Sequence, residues 1–250
     1  PLTLIMSPLA NLKRRVDVSS SDIRRDIDTI EHNANRILNL VNQILDMRKM
    51  DKEQMQLHCQ CTDLVRFVSG ICKMYEYNAQ ERRIQFNFNT GDLEKLDVWI
   101  DRNQFDKVMT NLLSNAFKYS FDGGKIDITL RQEGNLAKIE VKDTGIGLDK
   151  DTVKHLFDRF YQGSNSRRLR INGTGIGLNL CKMIVDMHQG TIEAENRTDG
   201  QRGSVFTITL PLGNSHLSVE CIEDTPSADV GQNTVQHTTG KGLKRVLLVD

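Results

Sequence analysis

The sequence predicts an α+β protein, in which an N-terminal helical hairpin precedes an α/β sandwich with a mixed sheet and helices on one face. Three observations predict this fold class. Apolar residues follow an unbroken 4-3-4-3 spacing between residues 23 and 44, which is typical of a helix with one buried stripe. Beyond residue 55, alternating apolar and polar residues indicate short strands, and helical stretches separate some of them. Other consecutive strands are joined by turns of hairpin length, which argues against a doubly wound parallel sheet.

The helical hairpin is predicted over residues 1–52. Residues 1–16 carry apolar side chains at steps of three and four, with a kink expected at Pro8. The stripe of the second helix, residues 21–50, consists of Ile23, Ile27, Ile30, Ala34, Ile37, Val41 and Ile44. A hairpin alone leaves this stripe uncovered, so we expect two chains to pair as a homodimeric four-helix bundle. Packing of the stripe against the rest of the same chain is the alternative.

The α/β domain is predicted over residues 53–213. Strands are expected in the segments MQLHCQC, RIQFNFN, KLDVWI, GGKIDITLRQ, NLAKIEVKD, GTIEAEN and GSVFTITLP. Helices are expected from Asp63 to about Glu81, from Asp101 to about Tyr119, and in the segments LDKDTVKHLFDRFY and IGLNLCKMIVDMHQ. The basic, glycine-containing segment QGSNSRRLRING predicts a mobile loop.

Composition disfavours several kinds of partner. Lysine and arginine together number 33, as do aspartate and glutamate, so the formal net charge is zero. We therefore expect no nucleic-acid partner and no strong attraction to an anionic membrane. No apolar run approaches the roughly 18 residues that span a bilayer. The five cysteines lack paired CxxC spacing, and we expect buried or half-buried thiols in a reducing compartment in place of a metal site.

One predicted helix, residues 102–119, carries a polar face. Asn111, Asn115 and Lys118 lie at positions i, i+4 and i+7, so they share a side of the helix distinct from its apolar side. The amide oxygen of Asn115 suits Mg²⁺, a hard cation that prefers oxygen ligands. The ammonium group of Lys118 suits a phosphate. A solvated helix face accepts the same residues, so this helix alone does not decide between the two interpretations.

The pentapeptide TGIGL occurs twice, at residues 144–148 and 174–178. The first copy follows a strand and Asp143, whose carboxylate can accept a hydrogen bond from a base amino group while the glycines allow close approach. The second copy opens a helix, where backbone N–H groups form an anion site. An ordinary Asp-capped turn is the alternative for the first copy. A dinucleotide-binding motif is excluded for the second copy, because no strand precedes it.

Five features occur in a fixed order between residues 101 and 182: Asn-x-x-x-Asn-x-x-Lys, DTGIG, FDRFY, a polar loop and GTGIGL. This order resembles the catalytic ATP-binding domain of sensor histidine kinases, within the gyrase, chaperone, histidine-kinase and mismatch-repair (GHKL) ATPase superfamily. The likeness extends over residues 55–212 and implies an α/β sandwich of the histidine-kinase ATPase (Bergerat) type. The hairpin resembles the dimerisation and histidine-phosphotransfer domain of the same kinases. Both glycine segments would then border one nucleotide cleft.

The resemblance implies that the chain binds ATP and Mg²⁺. It places Asn115 on the metal and Lys118 at a phosphate. It also places Tyr119 against the base and Asp143 on the adenine amino group. The other implied ATP contacts are Asn111, Gly145, Gly147, Phe160, Gly173, Thr174, Gly175, Gly177 and Leu178.

One position departs from the family pattern. After the aromatic pair Phe157 and Phe160 the family often has a basic residue that holds phosphate, and Gln162 stands there in this chain. Three arginines of the loop are candidates to replace it: Arg167, Arg168 and Arg170.

The implied function is that of a protein-histidine kinase, which transfers the γ-phosphoryl group of ATP to a histidine. A GHKL-type ATPase and a regulatory module that only binds nucleotide are the alternatives. Asn111 favours the kinase, because superfamily members that hydrolyse ATP typically have glutamate there as the general base. In the family the acceptor histidine stands a few residues before the proline that corresponds to Pro1. We therefore expect the acceptor upstream of Pro1, since His32 has no following proline.

The last residues indicate a further domain. Residues 214–243 are rich in Ser, Thr, Asn, Gln and Gly and predict a linker. The segment KRVLLVD, within 244–250, resembles the first strand of a response-regulator receiver domain, which implies a hybrid two-component sensor and a phosphorelay. The segments PLTLIMSPL and VNQILDMRKMD resemble hybrid sensors of the Bacteroides type. The resemblance implies a protein anchored in the bacterial inner membrane through an upstream sensor segment, and we expect the present portion in the cytoplasm.

Overall fold

The structure is a computed structural model that describes residues 21–51, 55–163 and 174–223. The predicted first helix, the loop arginines, Gly173, residues 224–243 of the linker and the closing strand lie outside these residues. The helices are α1 (Ser21–Asp51), α2 (Leu64–Lys73), α3 (Glu76–Glu81), α4 (Arg102–Tyr119), α5 (Lys150–His155) and α6 (Gly177–Met187), and a short 3-10 helix spans Val219–Cys221. The strands are β1 (Gln60–Asp63), β2 (Gln85–Asn89), β3 (Asp97–Ile100), β4 (Lys125–Glu133), β5 (Leu136–Asp143), β6 (Thr191–Asn196) and β7 (Ser204–Pro211).

A five-stranded mixed sheet forms the centre of the α/β domain, with the strand order β2-β4-β5-β7-β6. The predicted hairpin of β4 and β5 is confirmed: the strands pair antiparallel with Ile128 opposite Val141. Their turn contains Gly134 at φ +60°, a conformation that glycine adopts without steric cost. Strand β2 joins β4 in parallel, whereas β7 pairs antiparallel with both β5 and β6. The predicted mixed sheet is therefore confirmed.

The core lies between this sheet and the helices α4 and α6. Side chains at alternating positions of β4 are buried, as expected for a strand with one covered face. The buried residues of α4 recur at helical spacing and face the sheet: Phe105, Val108, Met109, Leu112, Leu113, Ala116 and Phe117. The predicted cap of α4 is confirmed, because Asp101 accepts hydrogen bonds from the N–H groups of Asn103 and Gln104 at 3.0 and 3.1 Å.

A buried histidine connects the two helices that carry the site. His188, at the end of α6, accepts the backbone N–H of Asp101 on Nε2 at 3.0 Å, and its Nδ1 lies 2.7 Å from the Ile184 carbonyl. Since Nε2 is an acceptor, the proton of the neutral ring is on Nδ1. Burial lowers the pKa of His188, so the neutral ring is the form that fits this place.

The prediction of one continuous helix from Asp63 to Glu81 is wrong, because two shorter helices occupy this segment. Its predicted start is confirmed. Asp63 caps α2 by accepting from the Val65 N–H at 3.1 Å. The chain then leaves the helix at Met74 and re-enters one at Glu76. Between them the Tyr75 ring stacks on Phe117 at 5.3 Å, and its hydroxyl donates to the Thr110 carbonyl of α4. Anchoring this side chain on α4 favours a turn over a straight helix.

The start of the predicted linker packs against the α/β domain. The Cys59 N–H donates to the Cys221 carbonyl at 2.7 Å, and the Glu223 N–H donates to the Cys59 carbonyl at 2.9 Å. The His58 imidazole lies 3.0 Å from the Glu223 carboxylate. Three of the thiols are buried and one is half-buried, as predicted: Cys59, Cys72, Cys181 and Cys221. Cys61 is exposed instead, because the two-stranded sheet of β1 and β3 has only one covered face.

Helix α1 confirms the prediction of a long helix over 21–50. Its contact with the α/β domain includes an ion pair of 2.6 Å between Asp46 and Lys107 of α4. Within the described residues, much of its apolar stripe has no cover: Ile30 and Ile37 are 50% and 51% exposed. None of the helices within the described residues is long and apolar enough to cross a membrane.

Candidate functional site

A cavity of about 520 Å³ opens between α4, the loop after β5 and the start of α6. This volume lies in the range of small-molecule sites. Ten of the residues predicted as ligand contacts line it: Asn111, Asn115, Lys118, Tyr119, Asp143, Gly147, Thr174, Gly175, Gly177 and Leu178. Residues of both copies of TGIGL therefore border the same space.

Two predicted residues lie outside the described lining of the cavity. Gly145 stands behind its wall, where a Cβ would meet the backbone carbonyl of Tyr119. Phe160 is 62% exposed and has φ +61°, and its N–H donates to the Gly175 carbonyl at 2.9 Å. Both residues shape the glycine segments through the backbone. Gly173 lies outside the described residues.

The polar face of α4 forms one wall. The Asn111 amide donates to the Lys107 carbonyl at 2.9 Å, and its Oδ1 would lie 2.6 Å from a Cβ on Gly177. Asn111 thus packs directly on the second glycine segment. Asn115, one turn further on, also lines the cavity and is half-buried. The Lys118 ammonium lies 5.0 Å from the centre of the Tyr119 ring, a cation–π contact that holds both side chains at this wall.

A buried carboxylate forms the opposite end. Asp143 is 3% exposed. Its Oδ1 accepts the Gly145 N–H at 2.7 Å, and its Oδ2 accepts the Ser204 hydroxyl. Burial raises the pKa of Asp143, and the hydrogen bonds from Ser204 and Gly145 offset part of that rise. A carboxylate accepts about four hydrogen bonds, so this fixed group retains capacity for a donor on a ligand.

The second glycine segment opens α6. Gly175 has φ +70°, and a Cβ there would lie 2.5 Å from the Phe160 carbonyl carbon. Only glycine fits this close approach. The Thr174 hydroxyl accepts the Ile176 N–H at 3.2 Å, which holds the turn into the helix. The N–H groups of the first helical turn have no intrahelical partner and carry the positive end of the helix dipole, so this end of the cavity suits an anion.

Several lining residues were not predicted from the sequence. They are Ser114 of α4, Ser204 and Phe206 of β7, Ile146 and Leu148 of the first glycine loop, Thr152, Leu156, Tyr161 and Gly163 near α5, and Asn35, Leu40 and Gln43 of α1. Gln162, which stands where the family often has a basic residue, lines the cavity as well. The apolar residues next to the glycines were a usable signal within the motif. No sequence signal identified Ser204, because its position beside Asp143 depends on the register of β7 against β5.

The described lining of the cavity carries one charged side chain of each sign. Lys118 and Asp143 are the only charged side chains among its described lining residues. Asp143 lies with Ile146, Leu148 and Phe206, which suits a flat heterocycle with an amino group. Lys118 lies on the α4 wall, which with Asn115 and the start of α6 suits an anion.

A mixed sheet backed by helices, a carboxylate beside one glycine loop and a second glycine loop at a helix start define an ATP-binding domain of the histidine-kinase type. The family of histidine kinase-, DNA gyrase B-, and HSP90-like ATPases matches residues 100–214. The His Kinase A (phospho-acceptor) domain matches residues 1–53. The chain therefore belongs to the histidine kinases and corresponds to their core of a phospho-acceptor and an ATP-binding domain.

Several curated relatives are histidine kinases. The chain is 31% identical over 245 residues to histidine kinase P4 of Formosa agariphila, covering 96% of this chain and 18% of the relative. It is 32% identical over 242 residues to hybrid signal transduction histidine kinase D of Dictyostelium discoideum, covering 93% and 15%. Sensor histidine kinase WalK of Bacillus subtilis is 35% identical over 213 residues, covering 84% and 34%. The chain thus spans from 15% to 34% of the length of these relatives.

Solved structures show the same fold. The catalytic domain of histidine kinase ThkA, in a nucleotide-free form, superposes with a TM-score of 0.54 at 27% identity and covers 62% of this chain and 98% of that domain. The histidine kinase AdeS of Acinetobacter baumannii covers 85% of this chain and 96% of its own, with a TM-score of 0.61 at 20% identity. This last likeness concerns the fold alone.

Proposed function

We propose that this chain is the ATP-binding catalytic core of a hybrid sensor histidine kinase. It transfers the γ-phosphoryl group of ATP to a histidine upstream of Pro1, and the group then passes to a receiver aspartate. One observation carries the proposal: Asp143, Lys118 and the start of α6 surround a single cavity of about 520 Å³. A base-recognising carboxylate and an anion site within one cavity match the two ends of a nucleotide.

The adenine lies at the Asp143 end. The carboxylate accepts a hydrogen bond from the exocyclic amino group, while Ser204 and Gly145 hold it in orientation. Ile146 and Phe206 supply apolar contact for the ring. The Tyr119 side chain, at the end of α4, lies against the base.

The triphosphate lies at the other end. Lys118 and the N–H groups of the α6 start hold it. Two amides one helical turn apart, Asn111 and Asn115, fit a Mg²⁺ ion, which takes one or two protein oxygens together with phosphate oxygens. Asn111 is engaged with the Lys107 carbonyl and Gly177, so we assign the metal contact to Asn115. The bound Mg²⁺ would offset negative charge that develops on the transferred group.

Position 111 supports phosphoryl transfer over ATP hydrolysis. An amide does not act as a general base for water. The Asn111 side chain also donates to a backbone carbonyl within α4, which is consistent with a structural role in the wall of the cavity. The ATPase alternative therefore has no base at this position.

The partners are a second copy of the chain and a receiver domain in the same protein. The uncovered stripe of α1 supports a homodimer through the N-terminal helices, because burying side chains such as Ile30 and Ile37 is favourable. The similarity to a hybrid kinase supports a receiver. Membrane anchoring through an upstream sensor, a cytoplasmic place for this portion and the Bacteroides-type layout stay predictions.

Calorimetry with a non-hydrolysable ATP analogue and Mg²⁺ tests the proposal. We expect Asp143→Ala to weaken binding by about 10- to 100-fold, because a hydrogen bond to a charged group contributes about 1.5–3 kcal/mol. Asp186→Ala is the matched control, since this carboxylate is exposed on α6 and pairs with Lys182. Unchanged binding by Asp143→Ala would contradict the proposal. With γ-labelled ATP we expect no stable label on this chain, because none of its histidines precedes a proline in the acceptor pattern of the family.

A further inference from the structure

The turn between β6 and β7 forms hydrogen bonds with the first glycine loop. We call residues 196–203 the β6–β7 turn and residues 143–148 the adenine loop. The Asn196 Oδ1 accepts the Leu148 N–H at 2.7 Å, and the Asn196 Nδ2 donates to the Leu148 carbonyl at 2.7 Å. One amide side chain therefore holds both backbone groups of the same residue.

Two arginines of the turn hold other carbonyls of the adenine loop. The Arg202 Nε donates to the Ile146 carbonyl at 2.9 Å. The Arg197 Nη1 donates to the Asp143 carbonyl at 3.3 Å. The Arg197 side chain is only 6% exposed, and its Nε donates to Asp199 at 3.1 Å. The ion pair with Asp199 therefore orients the guanidinium toward the loop.

The backbones of turn and loop also touch. Gly203 has φ +145°, and a Cβ there would lie 2.8 Å from the Asp143 carbonyl carbon and closer still to its oxygen. Only glycine permits this approach. The next residue, Ser204, then places its hydroxyl on the Asp143 carboxylate. The turn thus fixes Asp143 through its carbonyl and, one residue later, through its side chain.

A solvated basic turn is the simpler interpretation, and two observations speak against it. The buried Arg197 does not behave as a solvated side chain. In addition, the donors of Asn196, Arg197 and Arg202 converge on one six-residue loop. That loop is held from its other side by the Tyr119 carbonyl, which accepts the Ile146 N–H at 3.3 Å.

We propose that the β6–β7 turn is a positioning element that sets the adenine selectivity of the site. Asn196, Arg197 and Arg202 are positioning residues, since none of them belongs to the described lining of the cavity. They act through the adenine loop by holding the Asp143 carboxylate and the Leu148 backbone in place. This inference rests on the proposed function, in which the adenine amino group meets Asp143.

The test compares two nucleotides. Calorimetry in the presence of Mg²⁺ measures the affinities for ATP and for purine riboside triphosphate, which lacks the exocyclic amino group. The unchanged chain is expected to prefer ATP, and Asn196→Ala is expected to reduce that preference by about tenfold through loss of two hydrogen bonds that hold the loop. Arg202→Ala, also at an exposed position, is expected to reduce it in the same direction. Asn87→Ala is the control, because Asn87 is another sheet asparagine whose amide donates to Asp127.

The outcomes separate the two proposals. If Asn196→Ala and Arg202→Ala weaken both nucleotides equally, or weaken neither, the turn does not set selectivity and the inference is overturned. Circular dichroism melting verifies that both variants are folded. Asp143→Ala decides the underlying assignment: if it leaves the preference for ATP unchanged, the proposed function fails. If it abolishes the preference while the turn variants keep it, only the inference about the turn fails.

Discussion

Replacing Gly145 by alanine tests how closely the adenine loop packs on the end of α4. An added Cβ would lie 2.7 Å from the Tyr119 carbonyl carbon, 2.7 Å from the Asp143 Oδ1 and closer still to the Tyr119 oxygen. Real Cβ atoms do not approach other atoms within 3.0 Å. The loop and the helix end must therefore separate, and neither is a flexible side chain that can rotate away.

The cost follows from two effects. Overpacking a fixed site destabilises by about 1–3 kcal/mol. The same Tyr119 oxygen accepts the Ile146 N–H at 3.3 Å, and losing that hydrogen bond adds about 1 kcal/mol. We expect Gly145→Ala to lower the unfolding free energy by about 3 kcal/mol, which corresponds to a drop of roughly 6–12 °C in Tm for a chain of this size. ATP affinity falls as well, because Asp143 moves with the loop.

Differential scanning calorimetry with and without ATP and Mg²⁺ measures both effects. The matched variant is Gly70→Ala, since Gly70 is exposed within α2 and a Cβ there meets no atom within 4 Å. That variant is expected to raise stability by about 0.5–1 kcal/mol, as alanine favours the helix. A Tm of Gly145→Ala within about one degree of the unchanged chain, with unchanged ATP affinity, would refute the close packing described for this loop.

Three further predictions concern other parts of the molecule. Because burial lowers the pKa of His188, the unfolded chain binds the proton first, and stability is expected to decline as pH falls below about 6.5. Urea titrations at several pH values measure this, and His188→Gln, whose amide oxygen can accept the Asp101 N–H, is expected to flatten the decline. Asp46→Lys replaces the partly exposed ion pair with Lys107 by two like charges, and is expected to lower the unfolding free energy by up to about 1 kcal/mol. Adding Lys107→Asp should restore it, and a cost that persists in the double variant would contradict a direct pairing. Ellman's reagent at pH 8 should modify Cys61 fastest. Three thiols, whose pKa burial raises to about 12, should react only after unfolding: Cys59, Cys72 and Cys181. Rapid modification of all thiols in the folded chain would show that this burial is wrong.

Helix α1 contacts the candidate site through residues that the local sequence pattern does not identify. Gln43 lines the cavity and accepts the Thr174 hydroxyl at 3.3 Å. Three residues later in α1, Asp46 pairs with Lys107 at 2.6 Å. Helix α1, which lies within the segment that matches the phospho-acceptor domain, therefore contacts both the second glycine segment and the helix that carries Asn111. Both contacts join α1 to elements that line the cavity.

Local sequence determined those parts of the protein in which a residue acts on near neighbours. The capping carboxylates Asp63 and Asp101 marked helix starts, since a cap contacts N–H groups two or three residues away. The predicted strand MQLHCQC overlaps β1 only at Gln60 and Cys61. Alternation located β2 to β7, and residues of both glycine motifs line the cavity. These features depend on backbone conformation and on burial of one face, which leave a periodic pattern in the sequence.

The tertiary structure alone decided which distant residues meet. Ser204 reaches the Asp143 carboxylate across 61 positions, and Gln43 reaches Thr174 across 131. The first contact depends on the register of β7 against β5, and the second on how α1 packs beside α6. The break at Tyr75 likewise depends on its stacking with Phe117. Such contacts are fixed by the packing of whole elements, whose energy is shared among many residues and leaves no signal at any one position.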